Sequence, residues 1–341
     1  MKTKIFLAGF GLMVGPAAAL AQFPNASQQV EAVQQRRQME PLASLSAATN
    51  AAPELYAGEA SDVGPQSVLQ PKPHGDVFWA AADVQYFYTD NMFLTRNQRQ
   101  GADVMVDTVQ ASVEPAPCEL GGGSFAPRLG FEQQWYNFGR ADHSSFLAYD
   151  PAIPGYTTAH PDTFDFNAQT ILLDATWCWQ KWTVCAGSDY RRLLDSGNYC
   201  QFYTEFVPRW SVQRVFDLSE TTALSLGYEG ACRITEVVLT TPGLDSSSNN
   251  RTDHSLVLAG SWKLCEHAVL QPYYRFEFSH YTGIHRDDYL NSFGLALYVP
   301  LCKHATVRAF VGYDNLRTDG AYVESYENLT AGGGLNLTFA F

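Results

Sequence analysis

From Asp76 to the end of the chain, apolar and polar residues alternate one by one, the period of strands that carry a single apolar face. Phe293, Leu295, Leu297 and Val299 oppose Ser292, Gly294, Ala296 and Tyr298, while Val307, Ala309, Val311 and Tyr313 oppose Thr306, Arg308, Gly312 and Asp314. Leu270, Pro272, Tyr274, Phe276 and Phe278 oppose Gln271, Arg275, Glu277 and Ser279, and Leu224, Leu226, Tyr228 and Ile234 oppose Ser225, Gly227, Glu229 and Arg233. Together with the enrichment in Tyr, Phe, Trp, Val and Thr, the pattern predicts a dozen strands near 77–88, 103–115, 125–138, 164–179, 182–194, 201–216, 221–236, 250–264, 268–281, 289–299, 305–317 and 326–341.

The links between them sort by length. Those at 89–102, 139–163, 195–200, 237–249, 282–288 and 318–325 are mostly long, and alternate with mostly shorter ones at 116–124, 180–181, 217–220, 265–267 and 300–304. The exception is 116–124, which outruns 195–200. Long loops at one end, short turns at the other and an even strand number describe an up-and-down barrel with its apolar face outside. An inward apolar face would demand a very wide greasy lumen, because diameter grows with strand number. Trp79, Trp177, Trp179, Trp182 and Trp262 fall near the short-turn end, and Tyr88, Tyr136, Tyr190, Tyr203, Tyr281 and Tyr326 near the other, which predicts two aromatic girdles.

The last strand, Gly332 to Phe341, sets Leu335, Leu337, Phe339 and Phe341 against Asn336, Thr338 and Ala340. It resembles the final strand of the outer-membrane β-barrels of Gram-negative envelopes, which closes on a terminal Phe read by the assembly machinery. The stretch Tyr88-Thr89-Asp90-Asn91-Met92-Phe93-Leu94 is similar to the exit from the first strand in outer-membrane porin families. The resemblance implies an all-β transmembrane up-and-down antiparallel barrel of about 12 strands over 76–341, in the cell outer membrane. It also implies Phe339 and Phe341 as the assembly signal, with outer-membrane lipid and the barrel-assembly machinery as partners. The final strand is expected to close the ring against the first, near Phe78.

The first 75 residues lack this texture. Lys2 and Lys4, the apolar run from Ile5 to Val14 and Ala19-Leu20-Ala21 form a secretory signal over 1–21. Residues 22–75, rich in Gln, Ala, Ser and Pro, are expected to form a disordered periplasmic linker. Within it, Gln28 to Met39 has a second reading as a short polar helix; disorder is the favoured one. Mean hydropathy is -0.18, and beyond the signal no apolar run is long enough for a helical span. The formal charge of -13 becomes -15 once Lys2 and Lys4 leave with the signal, a balance that excludes nucleic acid as a partner.

The inward faces collect the candidate functional side chains. Asp83, Arg128, Glu132, Asp174, Glu205, Arg209, Glu229, Arg233, Lys263, Arg275, Glu277 and Arg308 are expected to line the lumen, together with Asp189. Such rows either line a narrow pore for passive diffusion of small polar solutes or pair across strands and close the lumen, leaving recognition to the loops.

Seven Cys are an odd number for an exported chain. Leu264-Cys265-Glu266-His267-Ala268 recurs as Leu301-Cys302-Lys303-His304-Ala305. The repeat reads first as a shared turn preference, next as a Cys265–Cys302 disulfide, and last as a site for a soft metal. Cys178 and Cys185 would oppose each other if their turn centred on Lys181 and Trp182, and would be offset by a shift of one residue. Cys118, Cys200 and Cys232 have no partner by spacing. Asp142-His143-Ser144-Ser145 brings together the His and Ser of barrel lipid hydrolases, but in a long loop and without an orienting Asn shortly beyond. The chain is therefore read as no enzyme and as needing no cofactor. Arg286-Asp287-Asp288 is expected in an external loop as a solvated tip.

Overall fold

The computed structural model describes residues 23–38, 77–96, 99–141, 145–149, 156–237, 245–320 and 324–341. Twelve long strands form the barrel wall: β1 (Phe78–Thr89), β2 (Ala102–Val113), β4 (Gly123–Phe138), β7 (Phe166–Trp179), β8 (Trp182–Asp195), β9 (Gln201–Asp217), β10 (Thr222–Val237), β11 (Arg251–Cys265), β12 (Ala268–Tyr281), β13 (Arg286–Cys302), β14 (Ala305–Thr318) and β15 (Tyr326–Ala340). Three short strands are additions: β3 (Cys118–Leu120) pairs with β4, and β5 (Phe146–Tyr149) with β6 (Tyr156–Ala159) as a hairpin within the 139–163 loop. Each wall strand pairs antiparallel with its neighbour, and β1 pairs with β15 from Trp79↔Ala340 to Thr89↔Thr330, so no edge is left open. Phe341 ties the seam: its carbonyl accepts the Val77 N–H at 2.8 Å, and its N–H donates to the Phe78 carbonyl at 2.9 Å.

The alternation acts as expected. Leu226, Leu256, Leu258, Phe293, Leu295, Val311, Leu335 and Phe339 are exposed on the outer face, whereas Asp83, Glu205, Ser255, Gln271 and Arg308 are buried inside. A sheet that is apolar outside and charged inside matches lipid outside and a polar interior, the arrangement of an outer-membrane barrel. No helix among the described residues is long and apolar enough to cross a membrane.

Several expectations need correction. Tyr88 and Tyr190 do belong to the outer girdle, but Tyr136, Tyr203, Tyr281 and Tyr326 are buried in the lumen, because their register positions point inward. Strand β13 starts at Arg286, earlier than expected, and turns Arg286 and Asp288 into a buried inward pair instead of a solvated tip. Cys178 faces Thr183 and Cys185 faces Thr176, because the turn centres on Gln180 and Lys181, with Gln180 at φ 54; the two Cys are thus offset and all seven thiols are free. Cys265 and Cys302 end β11 and β13, two strands and so roughly 10 Å apart, beyond the ~7 Å Cα limit of a disulfide. The repeat that holds them codes a turn: both copies carry a register shift at the same place, Lys263/Cys265 and Pro300/Cys302, and expose Leu264 and Leu301.

The leader differs from expectation over one stretch. Phe23–Gln38 is an α-helix, α1, the alternative reading weighed for this stretch, and it lies inside the barrel. Ala26, Val30 and Val33 make a narrow apolar stripe at helical spacing, Pro24 sits in the first turn where a missing N–H costs nothing, and Arg36 and Arg37 complement the dipole in the last turn. The remaining leader residues, the signal and Asp142-His143-Ser144 lie outside the described residues.

Candidate functional site

Helix α1 runs down the lumen from the long-loop end. Gln29 Nε2 donates to the Met92 carbonyl in the β1–β2 loop at 2.7 Å, while Arg37 reaches Gln110 and Glu132 deeper in the barrel at 3.0 and 2.5 Å. Sixteen residues at about 1.5 Å each give roughly 24 Å, close to the height of the apolar band outside. Above the helix start, Phe93, Phe146 and Phe164 pack edge-on and stacked at 5.1–5.9 Å and cover part of the mouth. Ala26, Val30 and Val33 pack against an inner apolar cluster that includes Val104, Val106, Tyr136 and Phe138.

Among the described residues, the wall beneath carries four inward ion-pair groups that join different strands, besides the Arg286–Asp288 pair within β13. In the first, Asp174 accepts from Arg128 Nη2 at 2.7 Å and Arg209 Nη2 at 3.1 Å, and Arg209 Nε donates to Asp189 at 2.9 Å. Arg128 lies directly across from Asp174, but Arg209 must reach over β8. It can because the intervening inward position is Gly187, where a Cβ would come within 2.5 Å of Asp174 Cβ. The second group uses the same device: Arg308 on β14 crosses β15 at Gly334 and donates to both oxygens of Asp83 on β1 at 2.8 Å, so an ion pair bridges the closing seam. The third joins Arg275 to Glu229 at 2.7 Å and Glu277 at 2.6 Å.

The fourth group meets the helix. Arg191 pairs with Glu205 at 2.5 Å, Arg233 with Asp253 at 2.5 Å and Glu205 at 3.4 Å, and Arg251 with Asp253 at 3.0 Å. Onto these three arginines α1 places Glu31 and Gln34. One carboxylate oxygen, Glu31 Oε1, accepts from Arg251 Nη2 at 2.9 Å, Arg233 Nη1 at 3.1 Å and the Ser27 hydroxyl at 3.0 Å. Gln34 Oε1 accepts from Arg191 Nη2 at 2.5 Å. On the other side of the helix, Arg36 lies over the rings of Phe87 and Phe310 at 4.4 and 4.8 Å. A partly open cavity lies between α1 and the wall, chiefly strands β11–β15 and β1, and is lined by Glu31, Arg36, Arg251, Tyr273, Tyr281 and Asp314 among others.

The twelve residues expected in the lumen, and Asp189 with them, face it. Asp83 meets Arg308, Asp174 joins Arg128 with Arg209, and Glu229 joins Arg275 and Glu277. Glu132 pairs with Arg37 of the helix, and Lys263 stands half-buried at the short-turn rim with no ion pair among the described residues. Sequence reasoning missed Arg191, Arg251 and Asp253 on the wall and Ser27, Glu31, Gln34 and Arg37 on α1. The Arg191 signal was present, two positions from Asp189 on the same face; the helix residues carried none, because a single lumen-facing helix surrounded by protein needs no strong amphipathic pattern.

No family model and no curated protein matches the chain. Among solved structures, the chain resembles the β domain of the Bordetella autotransporter BrkA, with 13 % identity over 78 % of this chain and 100 % of that one, at a TM-score of 0.42. It also resembles the COG4313 outer membrane channel from Pseudomonas putida F1, with 11 % identity over 80 % and 100 % of the two chains, at 0.48. The anion-selective porin from Comamonas acidovorans aligns at 8 % identity over 77 % and 98 %, at 0.35. None of them assigns a role to a residue of this chain. By its own closed wall, apolar exterior and charged interior, the chain is a twelve-stranded outer-membrane β-barrel whose lumen holds its own N-terminal helix.

Proposed function

We propose that the barrel is a gated channel for passive diffusion of small polar solutes, with α1 as its movable plug. The observation that carries this reading is how α1 is held. Its contacts with the wall include hydrogen bonds and ion pairs through Ser27, Gln29, Glu31, Gln34 and Arg37 and the guanidinium of Arg36 over two rings, all of which water can replace, and among the side chains described the apolar ones it buries are Ala26, Val30 and Val33. Burial of two valines contributes about 3–6 kcal/mol. That is comparable to the ~5.5 kcal/mol that swings a two-state equilibrium from 1:99 to 99:1. A permanent strut would instead be fixed by large apolar side chains. The cavity beside α1 supports the same reading, since a solute entering there meets the helix directly.

Conductance in planar bilayers tests it. The full chain is expected to give little steady current, and a chain lacking 23–38, verified as folded by heat-modifiable mobility, to give steady steps. A folded deletion chain that stays silent would favour the other reading, a lumen closed by its wall ion pairs with loops that serve recognition.

A further inference from the structure

We propose that Arg191, Arg233 and Arg251 form a binding site for a small monocarboxylate, and that Glu31 of α1 occupies it in this structure as an internal ligand. The inference rests on the reading of α1 as a movable plug, and it names the solute class that would compete with it.

Three features carry the assignment. The first is geometry: two arginines on adjacent strands converge on the single oxygen Glu31 Oε1, at 2.9 and 3.1 Å, and the third holds the neighbouring Gln34 amide oxygen at 2.5 Å. Planar guanidinium forks on one oxygen suit a carboxylate. The second is charge. Within the wall group three cations, Arg191, Arg233 and Arg251, stand against two carboxylates, Glu205 and Asp253, and the Glu31 carboxylate supplies the matching charge. When Glu31 leaves, the three guanidinium groups favour another carboxylate in its place. The adjacent carboxylates Glu205 and Asp253 repel a second negative charge and select a monoanion over a doubly charged one. The third is access: Glu31 and Arg251 both line the open cavity beside α1, so a solute in that cavity reaches the site without crossing the wall.

Propionate, which reproduces the glutamate side chain, is the probe. Titration calorimetry in detergent, with heat-modifiable mobility as the check of folding, is done on the full chain, on Glu31→Gln and on the chain lacking 23–38. Propionate is expected to bind both altered chains and to bind the full chain about tenfold more weakly or worse, because an attached ligand competes at millimolar or higher effective concentration. Arg251→Lys introduced into the Glu31→Gln chain is expected to weaken that binding, since an ammonium keeps the charge but loses the fork. Absence of propionate binding from both Glu31→Gln and the deletion chain would overturn the proposal, as would equal binding of chloride, which would make the site a general anion trap. Conductance separates the two readings. A deletion chain that conducts without binding propionate sinks the site and leaves the plug, whereas one that binds propionate without conducting leaves the site and sinks the plug.

Discussion

Replacement of Asp83 by Asn removes one charge from the pair that spans the closing seam. Arg308 and Asp83 are almost wholly buried, with side-chain exposures of 1 % and 0 %, and Arg308 Nη2 sits 2.8 Å from each carboxylate oxygen. Gln85 adds a hydrogen bond to Asp83 at 3.1 Å. Breaking a buried ion pair by removing one partner costs about 3–5 kcal/mol, whereas replacement of both by apolar or neutral groups of similar volume is often neutral or stabilising. The expected order is therefore Asp83→Asn strongly destabilised and Asp83→Asn with Arg308→Met close to the parent chain. Urea unfolding from lipid vesicles, followed by the fluorescence of the seven tryptophans and extrapolated linearly, measures both. The double-mutant cycle isolates the coupling. A loss below about 1 kcal/mol in Asp83→Asn would refute the reasoning, because it would mean that water screens the pair as it screens a surface one.

Gly187→Val should unfold or misregister the β7–β8–β9 wall, since its Cβ would stand 2.4 Å from the Leu173 carbonyl oxygen and 2.5 Å from Asp174 Cβ; loss of heat-modifiable mobility is the readout. Leu258→Arg lies midway between His254 and Trp262 on the outer face and should cost about 2–4 kcal/mol in vesicle unfolding, against little effect at the exposed turn residue Glu266. At the long-loop end, Asp165 accepts the Phe138 N–H at 2.7 Å, yet burial pushes its carboxyl up to about 6, with Asp162 adding to the rise against the lowering by that hydrogen bond. A carboxyl that holds its proton more tightly folded than unfolded contributes stability at low pH and loses it as pH rises from about 4 through 6, by at most about 3 kcal/mol before solvent screening. Hydrogen exchange of the 160–166 segment should quicken over that window, and Asp165→Asn should flatten the profile; a flat profile in the parent chain would contradict the assignment.

The barrel itself was legible from residue order, because strand faces repeat every two residues and need no knowledge of neighbours. Alternation such as Phe293 to Val299 placed the apolar face outside, link lengths separated the two ends, and the terminal alternation through Phe341 announced the closing strand. The lumen candidates followed from the same parity. Partners did not: Arg209 meets Asp174, and Arg308 meets Asp83, only because glycines lie between them in strands that register brings side by side. The orientation of tyrosines at strand ends, as at Tyr136 and Tyr281, depended on which residue began the pairing, and the offset of Cys178 from Cys185 depended on one residue in a turn. The helix is the clearest case. Glu31 and Arg37 sit in a Gln-rich stretch with too little apolar surface to order itself, and they become structured only where Arg233, Arg251 and Glu132 of distant strands supply the opposite charges. Local alternation thus determined the wall, and three-dimensional closure alone decided what the wall encloses.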